Sequence, residues 1–443
     1  MNYPKRKKKV SSHSENKHTG QQRITIGLID TALSALTALL DFSYPADAVL
    51  SRFFRENKAL GPRERAFIAE SVYTVLRRKR SLERMCSADG EKPTPRKLFI
   101  AALVRYQGVS QRQLADALKS KELEWVAQLK GVGEEGMSLA ERMDFPDWLV
   151  EKLQATQGEE ALLALARGLN QPAPLDLRVN SFKSDRDTVL AQLRADGIEC
   201  EPTPFAPLGI RLKGKPSLAR HPLFLDGTFE VQDEGSQLLG HLLAPKRGEM
   251  VADFCAGAGG KTLLLGALMR STGRLYAFDV SDKRLAKLKP RAARSGLSNI
   301  HPAVIANEHD QRIKRLAGKL DRVLVDAPCS GLGTLRRNPD LKWRQSPASV
   351  AELTAKQAAI LESAAKLVKV GGRVVYATCS LLDEENEAIV AAFLAGHAGF
   401  KRLSATDVLA KQGIALETGE DLHLLPHVHG TDGFYAAVLE RTE

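Results

Sequence analysis

Two cysteines stand directly after short apolar segments, where their thiols could do covalent chemistry. Cys329 lies in the segment DAPCSG (326–331), and Cys379 lies in TCS (378–380). A cysteine thiolate is a strong nucleophile that can form a covalent intermediate with a substrate. A zinc site would need further cysteine or histidine ligands at short spacing, and neither segment supplies them. We therefore predict covalent chemistry by a thiol, without a metal ion.

A glycine-rich segment, DFCAGAGGKT (253–262), lies between an apolar stretch and a predicted helix. Glycines let the backbone turn tightly and approach a ligand, and a helix N-terminus attracts negative charge. Asp279 ends the next predicted strand, where a carboxylate can accept hydrogen bonds from both ribose hydroxyls. We expect a nucleotide-like ligand to be held by the backbone of this segment, around Gly257, Gly259 and Gly260, and by Asp279.

The glycine-rich segment has three interpretations. GGKT (259–262) resembles the end of the phosphate-binding loop of a P-loop NTPase, with DRVLVDA (321–327) as a strand that ends in a magnesium-binding aspartate. That motif needs a glycine where the sequence has Cys255, and it gives Asp279 no task. The favoured interpretation is an adenosine ligand without a triphosphate, such as S-adenosylmethionine. Such a ligand does not need the missing glycine, and its ribose gives Asp279 a role. A turn without any ligand is the third interpretation.

A thiol beside a methyl donor suits the methylation of carbon 5 of cytosine. Carbon 5 is a poor nucleophile until a thiolate adds to carbon 6 and turns the ring into an enamine. Carbon 5 can then attack a sulfonium methyl group, after which a proton leaves carbon 5 and the thiol is eliminated. Asp326 can protonate or hydrogen-bond the N3/N4 edge of the base and so stabilise the adduct. Both cysteines and Asp326 are therefore candidate catalytic residues.

The elements that would position these residues follow from hydrophobic periodicity. From 236 to 443, four short β-rich segments alternate with helical stretches: EMVADF, RLYAFDV, DRVLVDA and GRVVYATCS. This order predicts an α/β domain with a doubly wound, mostly parallel sheet and ligands at the carboxyl ends of its strands. Helical periodicity predicts an all-helical domain at 24–160, and a strand–helix–strand pattern predicts a small α+β subdomain at 170–235.

The charge and cysteine content indicate the class of partner and the compartment. The 443 residues carry a formal net charge of +11, which favours a polyanionic partner such as a nucleic acid, because lysine and arginine displace counterions from phosphates; a charge that only keeps the protein soluble is the alternative. Residues 1–23 contain the run KRKKK and are predicted to be a basic disordered tail. No apolar run reaches the length of a membrane helix, and no signal peptide is recognisable. Five scattered cysteines indicate reduced thiols and a cytoplasmic location.

Taken together, these motifs resemble the RsmB/NOP family of RNA cytosine-5 methyltransferases. The segments that carry the resemblance span about 170–443 and are DAPCSG, TCS followed by EENE (384–387), GGKT, LRVNS (177–181), FEVQDEGSQL (229–238) and GTDGFYAAVLER (430–441). The segment GPRERAFIAESVYTVLR (61–77) more weakly resembles the NusB-like RNA-binding domain of the bacterial 16S rRNA members.

The resemblance implies a fold and a role for each motif. Residues 236–443 would be a Rossmann-like, class I S-adenosylmethionine-dependent methyltransferase domain, and 24–160 a NusB-like RNA-binding domain. Cys379 would be the nucleophile that bonds to carbon 6 of cytosine, and Cys329 would assist release. The cofactor would bind at 255–261, Asp279 and Asp326. The expected partner is rRNA, 16S rRNA above all, with tRNA as the alternative.

The sequence departs from the family pattern at two places. The family loop usually reads Ala-Pro-Gly-Gly-Lys, whereas this chain has Gly257 and Ala258 before Gly259; losing proline makes the turn less rigid but leaves its backbone donors. The family aspartate after the third strand is replaced by Asn307, with Asp310 three residues further on. We favour Asn307 as the residue that contacts adenine. A non-catalytic RNA-binding ribosome assembly factor with a vestigial site is the non-enzymatic alternative.

Overall fold

The computed structural model describes residues 23–87, 93–129 and 131–443. The basic tail expected at 1–23 lies, apart from Arg23, outside the described residues. The chain divides into two compact units. The first comprises the described parts of Met1–Asp41, Ala48–Val75 and Met85–Gly133, and the second comprises Phe42–Asp47, Leu76–Arg84 and Glu134–Glu443.

Helices are the regular elements of the described chain up to Leu169. Their bounds are α1 (Ile26–Leu39), α2 (Ala46–Glu56), α3 (Pro62–Arg77), α4 (Lys79–Cys86), α5 (Pro95–Arg105), α6 (Gln111–Leu114), α7 (Ser120–Leu129), α8 (Leu139–Met143), α9 (Asp147–Gln154) and α10 (Glu159–Leu169). Two of them begin at threonines that accept backbone N–H groups: Thr25 caps α1 and Thr94 caps α5. The helical periodicity of this region is thus realised in the structure.

A small antiparallel sheet follows the helices. Its strands are β1 (Leu175–Val179), β2 (Cys200–Pro202), β3 (Gly209–Leu212) and β4 (Phe229–Val231). They pair in the order β2-β3-β1-β4. Helix α11 (Arg186–Ala195) packs on this sheet, and its Val189 and Leu193 share a core with Leu177 and Ile210. Leu223 and Phe224 of α12 (Pro222–Leu225) pack against the same core, so α11 and α12 together cover one face of the small sheet.

The second sheet has eight strands and carries the candidate site. The strands are β5 (Met250–Asp253), β6 (Arg274–Asp279), β7 (Ile300–Val304), β8 (Leu320–Asp326), β9 (Val368–Thr378), β10 (Phe400–Leu403), β11 (Leu422–Leu424) and β12 (Phe434–Arg441). The order is β10-β12-β9-β8-β5-β6-β7, with β11 beside β12. Strands β5 to β9 are parallel, whereas β12 is antiparallel to β9, β10 and β11. The expected Rossmann-like, mostly parallel fold is confirmed.

Helices bury both faces of this sheet. The helices of this part of the chain are α13 (Glu234–Leu243), α14 (Gly260–Leu268), α15 (Asp282–Leu285), α16 (Leu288–Ser295), α17 (Gln311–Lys314), α18 (Leu341–Arg344), α19 (Pro347–Ala365), α20 (Glu387–Gly396), α21 (Ala405–Ala410) and α22 (Pro426–His429), with 3-10 turns at Leu332–Thr334 and Asp383–Glu385. Successive residues of β8 point to opposite cores: Val323 packs with Leu361 of α19, and Leu324 packs in the core that contains Leu238 of α13.

The strand register brings three strand ends to one edge of the sheet. Asp253 of β5 is level with Leu324 of β8, and Asp326 of β8 is level with Ala377 of β9. Because these strands are parallel, the loops that follow them leave the sheet on the same side. The glycine-rich segment and both cysteine motifs therefore start side by side.

Three further features bear on the expected chemistry. Within the described ranges, no helix combines the length and the apolar composition that crossing a membrane requires. In those same ranges, no group of three or more histidine, cysteine, aspartate or glutamate side chains is arranged to hold a metal ion. None of the five cysteines, all of which lie in the described ranges, is joined in a disulfide bond.

Candidate active site

The glycine-rich segment passes from β5 into α14 through two left-handed glycines. Gly257 has φ +55° and Gly259 has φ +87°, which are conformations that favour glycine because a Cβ atom would crowd the backbone. At Gly259 a Cβ atom would also lie 2.2 Å from Cδ1 of Leu288. This backbone path brings the N–H groups at the start of α14 to the edge of the sheet, where they can bind an electron-rich group.

Two arginines hold the carbonyl groups of this segment. Arg178 of β1 donates to the carbonyl oxygen of Gly260 at 2.6 Å, and Arg291 of α16 donates to that of Ala258 at 2.5 Å. Glu230 of β4 pairs with Arg291 at 2.9 Å. The small antiparallel sheet thus supports the glycine-rich segment through Arg178 directly and through Glu230 indirectly.

Asp279 joins the glycine-rich segment to the end of β6. Its carboxylate accepts the N–H of Gly257 at 2.8 Å and the N–H of Ser281 at 2.7 Å. Arg284 also donates to this carboxylate, at 3.0 Å. Asp279 is 3% exposed but lines the cavity described below. The carboxylate therefore lies where the sequence placed a ribose acceptor.

The wall formed by the end of β7 differs from the expectation. Asn307 is exposed, and its side-chain oxygen accepts the N–H of His309 at 2.9 Å. Asp310 caps α17 and accepts N–H groups from Ala306 and Arg312. Neither residue lines the cavity. Ile305 and Glu308 do so instead, because the turn around Asn307 is closed by its own local hydrogen bond.

A cavity of about 450 Å³ lies at this edge of the sheet. Every predicted site residue lines it except Gly259 and Asn307. The lining residues that were predicted are Cys255, Ala256, Gly257, Ala258, Gly260, Lys261, Asp279, Asp326, Cys329 and Cys379. Positions far apart in the sequence therefore form one continuous surface.

Sequence reasoning did not single out several other lining residues. They are Gln232, Ser236, Asp253, Phe254, Val280, Arg284, Ile305, Glu308, Ala327, Pro328, Lys356 and Ile360. Some had a usable signal: Gln232 and Ser236 lie inside the quoted segment FEVQDEGSQL, and Asp253 ends a predicted strand. Lys356 and Ile360 lie in the middle of the long helix α19, where periodicity predicts a helix face but gives no information about a ligand.

The two motif cysteines lie in contact. Their Sγ atoms are 3.4 Å apart, and the backbone N–H of Cys379 donates to Sγ of Cys329 at 3.3 Å. The hydrogen bond to Cys379, together with burial, raises the pKa of the Cys329 thiol well above its ordinary value. Cys329 therefore keeps its proton at neutral pH, directly beside the sulfur of Cys379.

Lys261 and Asp326 form an ion pair across the same cavity. Their Nζ and Oδ2 atoms are 2.6 Å apart. Burial opposes the lysine charge, but attraction to Asp326 outweighs it, so the pKa of Lys261 lies above its ordinary value. The ammonium group also lies 5.8 Å from the ring centre of Phe434. A fixed positive charge and a fixed carboxylate thus stand near the thiols.

Asp253 supplies a free acceptor at the bottom of the cavity. Its Oδ2 accepts the hydroxyl of Thr262 at 2.7 Å, while its buried Oδ1 has no hydrogen-bond partner among the described residues. Burial raises the pKa of this carboxyl group to about 7. This oxygen is free to accept a hydrogen bond from an α-amino group. With the carboxylate of Asp279 for a ribose and the apolar side chains of Val280 and Ile305 nearby, these residues fit S-adenosylmethionine.

The third thiol of the cavity has a different environment. Burial, reinforced by the nearby carboxylate of Asp253, raises the pKa of Cys255 far above its ordinary value. A thiol in such surroundings stays protonated and is a weak nucleophile. Cys255 therefore belongs to the wall of the cavity rather than to its reactive groups.

The chain matches known family models over most of its length after the N-terminal helices. A model described as 16S rRNA methyltransferase RsmB/F matches residues 240–440, and a model of the ferredoxin-like domain of RsmF/B-like methyltransferases matches residues 145–219. The second match includes the strands β1, β2 and β3 of the small sheet. The NusB-like character of the N-terminal helices stays a prediction.

Individual relatives agree with these models. The chain is 34% identical to a probable ribosomal RNA small subunit methyltransferase B of Synechocystis sp., over 89% of this chain and 95% of the relative. It is 31% identical to the probable enzyme of the same name from Bacillus subtilis, over 93% of this chain and 98% of the relative. A crystal structure of a methyltransferase homologue from Pyrococcus horikoshii is 29% identical, covers 70% of this chain and 100% of its own, and has a TM-score of 0.60.

These findings decide between the interpretations of the glycine-rich segment. The expected family and the use of S-adenosylmethionine are confirmed, and the P-loop interpretation is no longer needed. The alignments with the two relatives cover about nine tenths or more of both chains, so the similarity is not confined to one motif. The chain belongs to the RsmB/F family of rRNA methyltransferases and is an S-adenosylmethionine-dependent RNA methyltransferase.

Proposed function

We propose that this enzyme methylates carbon 5 of a cytosine in 16S rRNA through a transient bond between Cys379 and carbon 6 of the base. The observation that carries this proposal is the pair of thiols 3.4 Å apart in the wall of the cavity that fits the methyl donor. Covalent activation of cytosine needs a thiol and a methyl donor in one site. The target base has to be unpaired or flipped out of its stack to reach them.

The two cysteines divide the covalent steps. Cys379 attacks carbon 6 as its thiolate, and carbon 5 becomes nucleophilic. Bound S-adenosylmethionine supplies the electrophilic methyl group that carbon 5 takes. Release follows when a base, for which a water molecule suffices, takes the carbon 5 proton, the electrons of the C–H bond form the double bond between carbons 5 and 6, and the sulfur of Cys379 departs as a thiolate. Cys329 assists this step, because its sulfur is in contact with the departing one.

Lys261 and Asp326 orient the base in this proposal. The carboxylate of Asp326 faces the cavity and is held by Lys261 at 2.6 Å. A carboxylate so fixed can accept a hydrogen bond at the N3/N4 edge of cytosine, from the N4 amino group. Uracil presents a different pattern of donors and acceptors at that edge, so Asp326 also provides the basis for choosing cytosine.

The choice of 16S rRNA and of the cytoplasm rests on the relatives. Those from Synechocystis sp. and Bacillus subtilis are named as probable enzymes of the small ribosomal subunit RNA. A net charge of +11 suits a large polyanion. We extend the same inference to the N-terminal helices as an RNA-binding domain at about 24–160, with the α+β part at about 170–235 and the methyltransferase domain at 236–443.

A trapping experiment tests the covalent mechanism. Purified wild type and the variants Cys329→Ala and Cys379→Ala are incubated with a 16S rRNA transcript and S-adenosylmethionine, then run on a denaturing gel. We expect Cys329→Ala to accumulate a covalent RNA–protein band, because release is slowed. Cys379→Ala should form no band and no 5-methylcytosine. Cys200→Ala, which changes a buried thiol outside the cavity, is the matched control and should behave as wild type.

Two results would contradict the proposal. Methyl transfer by Cys379→Ala would exclude this residue as the nucleophile. RNA binding by the wild type without methylation of any transcript would favour the non-catalytic assembly factor. Bisulfite sequencing of 16S rRNA and tRNA, exposed to the enzyme in parallel, separates the two candidate substrates. We expect conversion-resistant cytosine in 16S rRNA and none in tRNA.

A further inference from the structure

A buried carboxylate lies directly behind the two thiols. Glu385 is 0% exposed and lies six residues after Cys379, in the 3-10 turn Asp383–Glu385. It lines neither the cofactor cavity nor the surface, so it cannot touch RNA or the methyl donor. Burial of a carboxylate is costly unless hydrogen bonds compensate for the lost water. The position of Glu385 therefore calls for an explanation.

The donors to Glu385 come from both cysteine motifs. Oε1 accepts the backbone N–H of Ser330 at 2.8 Å, and Oε2 accepts the hydroxyl groups of Ser330 and Ser380. Each of these serines directly follows one of the cysteines, Cys329 and Cys379. One carboxylate thus bonds to the residue next to each reactive thiol.

Further bonds make this connection rigid. Gln357 of α19 donates to Oε1 of Glu385 at 2.9 Å. The hydroxyl of Tyr376, in β9, donates to the backbone carbonyl of Glu385 at 2.6 Å. Ser330 and Ser380 are themselves buried, and their hydroxyl oxygens are 3.1 Å apart. Buried polar groups that are hydrogen-bonded to one another in this way have few alternative arrangements.

From these contacts we infer that Glu385 is a positioning residue that sets the spacing of Cys329 and Cys379. The inference rests on the proposed function, in which the two sulfurs act in succession on the same base. A carboxylate suits this task because its two oxygens accept all four donors at once. A neutral amide has one such oxygen and cannot replace both.

A trivalent arsenical measures the spacing without RNA or methyl donor. Phenylarsine oxide exchanges its oxygen for two thiol sulfurs and releases one water, so it binds tightly only where two thiols lie close together. We expect it to bridge Cys329 and Cys379 in the wild type, as located by mass spectrometry, and not in Cys329→Ala. In Glu385→Gln the affinity for phenylarsine oxide should fall about tenfold or more, because the two thiols are no longer fixed at the spacing that the bridge requires.

Reaction kinetics test whether the spacing matters for catalysis. A displacement of about 1 Å can lower a rate roughly 100-fold, so we expect kcat of Glu385→Gln to fall about 10- to 100-fold. KM for RNA and the affinity for S-adenosylhomocysteine should stay within about twofold of wild type. The neighbouring Glu384, which pairs with Lys152 at the surface, offers the matched control: Glu384→Gln should leave all four quantities unchanged.

Each outcome has a definite meaning. Unchanged arsenical binding in a folded Glu385→Gln variant would overturn the inference, whether or not its kcat falls. If this variant does not fold, the double variant Ser330→Ala/Ser380→Ala, which keeps the carboxylate, must show the same weaker bridge or the inference is wrong. Weaker arsenical binding combined with a wild type that methylates no cytosine would refute the proposed function and leave the positioning role standing.

Discussion

Arg178 gives a quantitative test of how the small sheet supports the cofactor site. Its guanidinium group is 2% exposed and donates to Gly260 O at 2.6 Å and to the side chain of Gln232. Arg178→Met keeps much of the apolar volume but removes both bonds. The glycine-rich segment of this chain lacks proline, so it depends on such external bonds to stay ordered.

The size of the effect follows from the backbone that is set free. Ordering one residue costs about 1–2 kcal/mol, and Gly260 loses its fixed position with the bond. In the variant, part of the binding free energy of S-adenosylhomocysteine is then spent on ordering Gly260. Since about 1.4 kcal/mol corresponds to a factor of ten in affinity, we expect Kd of Arg178→Met to rise roughly 5- to 30-fold.

Isothermal titration calorimetry with S-adenosylhomocysteine measures this change independently of methyl transfer. The matched control is Arg194→Met, since Arg194 also donates to a backbone carbonyl, that of Cys200 at 3.0 Å, within the same small sheet. The control should bind like wild type to within about twofold. Wild-type affinity in a folded Arg178→Met protein, or an equal loss in both variants, would refute the reasoning.

Three other changes have expected outcomes. Leu324→Ala removes a fully buried side chain from a central strand and should lower the unfolding free energy by about 2–5 kcal/mol in urea titrations. Gly259→Ala should weaken S-adenosylhomocysteine binding about tenfold or more in calorimetry, because the new methyl group would meet Leu288 at 2.2 Å. Asp253→Asn should flatten the pH dependence of the unfolding free energy. Burial raises the pKa of Asp253 from 3.8 to about 7, so between these pH values the folded wild type holds a proton that the unfolded chain has released. The stability of the wild type therefore falls as the pH rises through this range. Thermal unfolding at about pH 5 and pH 8 checks this, and an advantage of the variant confined to pH 5 would contradict it.

The parallel part of the large sheet could be predicted because its strands are short, apolar and separated by helical stretches. The carboxyl ends of such strands meet by topology alone, which is why Asp279, Asp326 and both cysteines were expected in one place. Strands β10 to β12 were not identified. Their pairing with β9 depends on contacts between distant parts of the chain, and short antiparallel segments give a weaker pattern.

The supporting residues escaped prediction for a similar reason. Arg178 and Gly260 are 82 residues apart in sequence, and Ser330 and Glu385 are 55 apart. Neither pair forms a spacing that a linear motif could reveal. Asn307 shows the opposite difficulty: its position after a strand suggested a ligand contact, but a local turn directs its side chain to His309. Local hydrogen bonds of asparagine are common in turns and compete with such a role.

The place of β12 in the large sheet bears on when the enzyme can first act. Tyr435 to Glu440 of β12 pair with β9 up to Thr378, the residue before Cys379. During synthesis β9 leaves the ribosome well before β12 does, so the edge of the strand that precedes Cys379 stays unpaired until the later segment arrives. We expect nascent chains to be inert, which would spare the RNA of the very ribosome that is translating them.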